Sequence, residues 1–162
     1  MAAETLTSAR ASATYPVAAS GPAGDLKVAW GTFAVASAAL EDGDIFEMCW
    51  VPDGCTIIGG WYQSGDMDTG TEELDNMCGW AANSSDAADP NGLMLAGVIT
   101  NDISVHLDAA STLIHFGGVI TSAGPKTFTA GGGSTKIQVE TNAAAAAMAA
   151  VQMTVVALYT TK

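Results

Sequence analysis

The chain of 162 residues carries seventeen acids against five bases, a formal charge of -12, yet 49% of it is apolar and only 14% charged. A disordered polyelectrolyte is excluded by the apolar share, and a nucleic-acid binder by the missing basic footprint that would neutralise phosphates. The length fits one compact domain able to bury a core without disulfide or metal staples.

No Lys or Arg occurs between Lys27 and Lys126, while fourteen of the seventeen acids fall between Glu41 and Asp108. Those carboxylates cannot all find internal cations. They face water and keep the particle soluble, or they meet a cation or a basic partner. Residues 1–24 are rich in Ala, Ser and Thr, show no apolar period, and contain Tyr15-Pro16-Val17 and Gly21-Pro22. Proline favours extended backbone there, so this segment is expected to be an N-terminal arm, disordered alone or ordered along a neighbour. The start Met-Ala-Ala-Glu-Thr lacks the basic and apolar regions of a signal peptide, and no stretch reaches the roughly 20 apolar residues of a membrane span. Synthesis in a cytoplasm without membrane association is the expectation.

From residue 25 onward, to 162, the pattern is β. Leu26, Val28 and Trp30 alternate with Lys27 and Ala29, and the apolar phase shifts to Phe33 and Val35 after Gly31, which predicts a bulge at that glycine. Glu41 to Asp44 is turn chemistry. The apolar run Ile45–Val51, the turn Pro52-Asp53-Gly54 and the run Thr56–Gln63 together predict a hairpin over 45–63. Further strands are expected at Leu74–Trp80, around Ile114–Ile120, at Thr127–Thr129, around Ile137–Val139 and at Val151–Tyr159. Residues 143–150 read as a loop with at most one helical turn, and residues 92–108 fit either a short helix or a strand. Seven or eight short strands between Gly/Pro/Asp clusters indicate one all-β, antiparallel sandwich or barrel.

Candidate chemistry is sparse. Asp66, Asp68 and Asp75 lie in a loop that could offer oxygens to a cation, but its glycine is misplaced for an EF-hand, and a turn held by Asp side chains explains the same residues. His106 and His115 have no metal-ligand spacing. Cys49, Cys55 and Cys78 are an odd set that reads as small buried apolar residues. No phosphate cradle and no nucleophile elbow occurs. Trp30, Trp50, Trp61 and Trp80 come from four different strands, fit either for a sugar-stacking face or, more ordinarily, for a core or subunit interface. No cofactor and no enzymatic activity are expected.

Several turns carry a family likeness: Gly43-Asp44, Val51-Pro52-Asp53-Gly54, Asp66-Met67-Asp68-Thr69-Gly70-Thr71, Leu74-Asp75, Gly79-Trp80-Ala81-Ala82-Asn83, Asp86-Ala87-Ala88-Asp89-Pro90 and Ser122-Ala123-Gly124-Pro125-Lys126-Thr127. With them the chain resembles tailed-bacteriophage capsid decoration (cement) proteins and related head structural proteins. The resemblance implies a jelly-roll-like β-sandwich on the outside of the virion capsid. It implies a homotrimer as well, with the major capsid protein as partner. Tyr15, Pro16, Val17 and Pro22 of the arm are then candidates for the capsid or subunit interface. The alternative is a head-fibre or tail-associated adhesion module that binds carbohydrate or calcium.

Overall fold

The longer strands fall where apolar and polar side chains alternate along the chain. The computed structural model describes residues 5–7, 26–36, 40–65, 67–68, 74–94, 112–116, 125–144 and 149–161, and no helix occurs among them. Ten strands run in chain order: β1 (Thr5–Thr7), β2 (Lys27–Val35), β3 (Ile45–Val51), β4 (Thr56–Ser64), β5 (Asp75–Trp80), β6 (Asp89–Met94), β7 (Thr112–His115), β8 (Lys126–Thr127), β9 (Thr135–Ala143) and β10 (Val151–Thr160).

They form two sheets, with orders β1-β3-β9-β5-β6 and β2-β10-β4-β7, and β8 pairs with β4. Four antiparallel pairs are nested: β2 with β10, β3 with β9, β4 with β7, and β5 with β6. The chain therefore behaves as one long hairpin, with its tip at β5 and β6, rolled so that successive pairs land on alternate sheets. This is the connectivity of a jelly roll. Among these contacts only β1 with β3 is parallel.

Two sequence expectations are corrected here. Residues 45–63 do form two strands around a turn closed by Cys55 N–H donating to the Pro52 carbonyl at 3.3 Å, but the strands belong to opposite sheets and do not pair. The turn carries the chain across the sandwich. Nor does β2 bulge at Gly31: its register with β10 is continuous from Val35↔Val151 to Lys27↔Tyr159. Ala29, Gly31 and Val35 face inward, while Val28, Trp30 and Ala34 face out. The extra residue lies instead in β3, where the register with β9 shifts around Met48. A Cβ on Gly31 would sit 1.8 Å from the Met48 carbonyl oxygen. Glycine marks the bulge after all, but from the facing strand, by admitting a bulged carbonyl that no side chain could tolerate.

Between the sheets lie Phe46, Val51, Ile57, Tyr62, Ile137, Val139, Met153, Val155 and Tyr159, all buried. Phe33 meets Phe46 edge-on at 5.2 Å. Each such side chain stabilises the fold by roughly 1.5–3 kcal/mol relative to exposure. The core has a polar seam. Thr141 Oγ1 donates to Asn76 Oδ1 at 3.1 Å, whereas the hydroxyls of Tyr62, Ser64 and Tyr159 and the Asn76 amide nitrogen are buried without a hydrogen bond among the described residues. Burial pushes the Tyr62 pKa up to about 12, with Ser64 and Asn76 close enough to oppose the rise in part.

The strand β6, with Pro90 and Gly92 in it, has no alternation to announce it, and it includes the start of the undecided stretch 92–108. The remainder of that stretch lies outside the described residues. So do the residues 145–148 of the expected alanine loop.

The Gly31 contact gives a direct test. Gly31→Ala is expected to lower the melting temperature, at a cost of about 1–3 kcal/mol for overpacking. Gly59→Ala, where an added Cβ meets nothing within 4 Å, is expected to change stability by less than about 0.5 kcal/mol. Thermal denaturation of the two variants checks both values.

Candidate functional site

Of the turns that carry the family likeness, those at Asp53, at Asn83–Asp86 and at Lys126 meet at one end of the sandwich, while Gly43 and Asp75 lie against the opposite end of β9. Asn83 Oδ1 accepts hydrogen bonds from Ser85 N–H at 2.9 Å and Asp86 N–H at 2.6 Å, closing the turn between β5 and β6. Ser84 Oγ donates to the Gly132 carbonyl at 2.8 Å. Asp86 accepts from Thr129 N–H at 2.9 Å and from Lys126 Nζ at 3.1 Å. The Lys126 ammonium lies 4.8 Å from the Trp80 ring centroid and 5.0 Å from that of Phe128. Trp80 Nε1 donates to the Ala87 carbonyl at 3.1 Å. Nearby, the Asp53 carboxylate accepts from Gly131 N–H at 2.9 Å and Gly133 N–H at 3.0 Å, both glycines having positive φ.

These acids are occupied in holding backbone. Burial would raise the Asp86 pKa, but the Thr129 N–H, the Lys126 ammonium and the Asn83 amide outweigh it and hold the carboxyl below its ordinary value. Glu140, partly buried and near Asp42, moves the other way.

Two of the loop acids read as a candidate cation site are hydrogen-bonded to the protein. Asp68 accepts from Leu74 N–H at 3.1 Å, Asp75 accepts from Asn142 Nδ2 at 2.9 Å, and Asp66 lies outside the described residues. Among the described residues no group of three or more His, Cys, Asp or Glu could hold a metal ion. Tyr15, Pro16, Val17, Pro22 and His106 also lie outside them. His115 is exposed. Cys49, Cys55 and Cys78 are buried and reduced. Burial pushes the Cys55 thiol up to about 12, with the Asp53 charge adding to the rise, and burial raises that of Cys78 too.

The tryptophans separate by role. Trp80 is buried edge-on against Phe128 at 5.6 Å. Trp50 lies in β3, with Lys136 Nζ 5.1 Å from its ring centroid. Trp30 and Trp61 share the outer face of the second sheet, since both stand opposite Val156 of the intervening strand. His115 continues that row beyond Trp61. Val28 and Leu158 stand opposite one another one step along, and Ile58 sits at the irregularity where β4 passes Leu158. In the other direction the face turns polar but stays neutral, with Thr32, Thr154 and Gln63 in register and Thr32 Oγ1 3.2 Å from Thr154 Oγ1.

Charge divides between the sheets in the same way. The strands β2, β4, β7, β8 and β10 contain no Asp or Glu. The other sheet carries Glu47, Asp75, Asp89 and Glu140. Among the described residues the exposed large apolar side chains are Leu26, Val28, Trp30 and Ile58, at 59, 48, 43 and 42%. All four lie in or next to the acid-free sheet. Sequence reading missed this surface because Leu26, Val28 and Trp30 have the spacing of an inward face. The signal against that reading was the alternative phase of Ala29, Gly31, Phe33 and Val35.

No protein-family model matches the chain, and no curated protein matches it. Solved structures do. A chain from the capsid of Ralstonia phage GP4 is similar with a TM-score of 0.73 at 17% identity, covering 98% of this chain and 98% of that one. One from the capsid asymmetric unit of cyanophage Pam1 gives 0.59 at 21% identity, covering 95% of this chain and 99% of its own. A third, from the acidic stable capsid of Helicobacter pylori bacteriophage KHP30, gives 0.53 at 15% identity, with 86% and 90% covered. At these identities the likeness establishes a shared fold.

Two outcomes follow from the site's chemistry. The Asp86 carboxylate, with its folded pKa below the unfolded value of about 3.9, stabilises the protein above that value and loses the effect as pH falls through the folded pKa. Asp86→Asn is therefore expected to cost about 1 kcal/mol near neutrality, and melts at successively lower pH should show the gap to wild type closing. The three thiols are expected to resist a soluble disulfide reagent in native protein and to react completely in denaturant. Rapid native labelling would contradict their burial.

Proposed function

We propose that this protein is a non-enzymatic virion structural protein that decorates and cements the exterior of a tailed-phage capsid, as a homotrimer bound to the major capsid protein. The observation that carries the reading is end-to-end coverage: chains from three phage capsids match along nearly their whole length, so the likeness extends beyond a shared motif. The composition of the polar turns supports it. Asp53, Asn83 and Asp86 spend their hydrogen-bonding capacity on backbone and Lys126, as suits a part whose output is shape.

In this reading residues 1–24 form an arm that extends over a neighbouring subunit, with Tyr15, Pro16, Val17 and Pro22 in contact. A segment that orders on binding can cover a large surface at modest affinity, and many attachments per particle add through effective concentration. Within the arm, Thr5–Thr7 already pairs with β3 of its own chain, and Thr7 Oγ1 donates to Glu47 at 2.7 Å.

Capsids of the encoding phage, stripped of this protein and mixed with the purified full chain, provide the test. The full chain is expected to rebind and to raise the temperature at which the shells rupture. A failure to bind would remove the cementing role. Deletion of residues 1–24 is expected to leave the β circular-dichroism spectrum intact, with a slightly lower melting temperature from the loss of β1, and to weaken shell binding about tenfold or more. Undiminished binding would remove the arm's role alone.

A further inference from the structure

We infer that the outer face of the sheet β2-β10-β4-β7 is the surface through which copies of this chain meet one another. This deepens the oligomeric part of the proposed function and rests on that reading for its setting. Its grounds lie in the charge and polarity of this face.

Charge selects the occupant. Two copies, each at -12, repel wherever carboxylates approach, and like charges placed together at an interface cost several kcal/mol. The strands of this sheet bring no carboxylate into a contact. Of its two lysines, Lys27 shares the inward phase of Ala29 in β2 and donates from Nζ to Thr161 Oγ1 at 2.7 Å, and Lys126 is held by Asp86. A basic partner would gain nothing here and would be drawn to the acid-bearing sheet. An equally acidic copy gains most here.

Polarity points the same way. Val28, Trp30, Ile58, Trp61 and Leu158 supply an apolar area of the kind that marks an interaction site when contiguous, with the tryptophans as large, rigid anchors. Beside them, hydroxyl and amide groups of Thr32, Thr154 and Gln63 can each donate and accept. Groups that both donate and accept can pair with one another in either sense, which suits the head-to-tail contact of a trimer, where one part of the face lies against a different part of the next copy. The three long strands span roughly 15 by 30 Å, more than half of the about 800 Å² per partner typical of a stable interface.

The experiment is sedimentation of the full-length protein over a range of concentration and salt. Wild type is expected to self-associate, more tightly as salt screens the acidic repulsion. Val28→Glu and Trp30→Glu, changes at exposed positions, are expected to weaken association on the order of a hundredfold. Ala88→Glu, exposed in the turn between β5 and β6, is expected to associate as wild type does. A footprint avoids dependence on the charged variants. Because the native cysteines are buried, Val28→Cys introduces one accessible thiol. Its maleimide labelling should slow about tenfold or more above the association concentration, while Ala88→Cys should not change.

Association that the glutamates leave intact, with Val28→Cys labelled equally fast at all concentrations, overturns the assignment of this face and leaves the virion role standing. A wild type that stays monomeric while the glutamate variants lose shell binding also overturns it, since the face would then lie against the capsid. A wild type that neither associates nor binds shells removes the virion role together with it.

Discussion

The two sheets can close on one another only if every strand gives one face to the facing sheet, and at Gly31 that demand reaches the backbone itself. There the carbonyl of Met48, thrown out by the bulge in β3, occupies the space a side chain would take. The bulge keeps Phe46, Cys49 and Val51 all directed into the core while Glu47 and Trp50 stay partly exposed. Without it the apolar phase of β3 would slip by one and present a glutamate to the core. The absence of a side chain in one sheet thus permits the register of the other.

The same division of faces governs charge. Once β2, β10 and β4 are gathered in one sheet, their inner positions supply core and their outer positions supply a surface without carboxylates. Among the described residues the carboxylates are left to the opposite sheet and to the turns. Those in turns stabilise by accepting backbone N–H groups, as Asp53 and Asp86 do. The protein can in this way carry a strongly negative charge, which keeps it dispersed, and still hold one face that a like-charged molecule can approach.

The jelly-roll path explains which local expectations succeeded. Strands with a clear two-residue period, such as Val151–Thr160 and Thr135–Ala143, stand where the alternation places them. The turn at Pro52–Gly54 also forms, with Gly54 at φ 63. Its flanking strands nevertheless pair elsewhere, because β3 meets β9 and β4 meets β10 from far along the chain. Local turn chemistry sets a reversal of direction, while hydrogen-bond partners are chosen by where the long hairpin rolls. The strand Asp89–Met94 was illegible for the converse reason. It has no period of its own and is held by pairing with β5.

By itself the amino-acid sequence determined the all-β class, the positions of the strands with a clear two-residue period, the burial of the three cysteines and the turn residues, because each depends on side-chain alternation or on dihedral preferences within a few neighbours. It also contained the acid-free composition of five strands, though scattered between residues 27 and 160. Only the tertiary structure decided that those strands are neighbours and that Val28 and Trp30 point outward while Ala29 and Gly31 point in. It also decided that the bulge belongs to Met48. These are long-range outcomes: two phases of β2 were legible along the chain, and packing against the facing sheet admits only the one that sets Gly31 against the Met48 carbonyl.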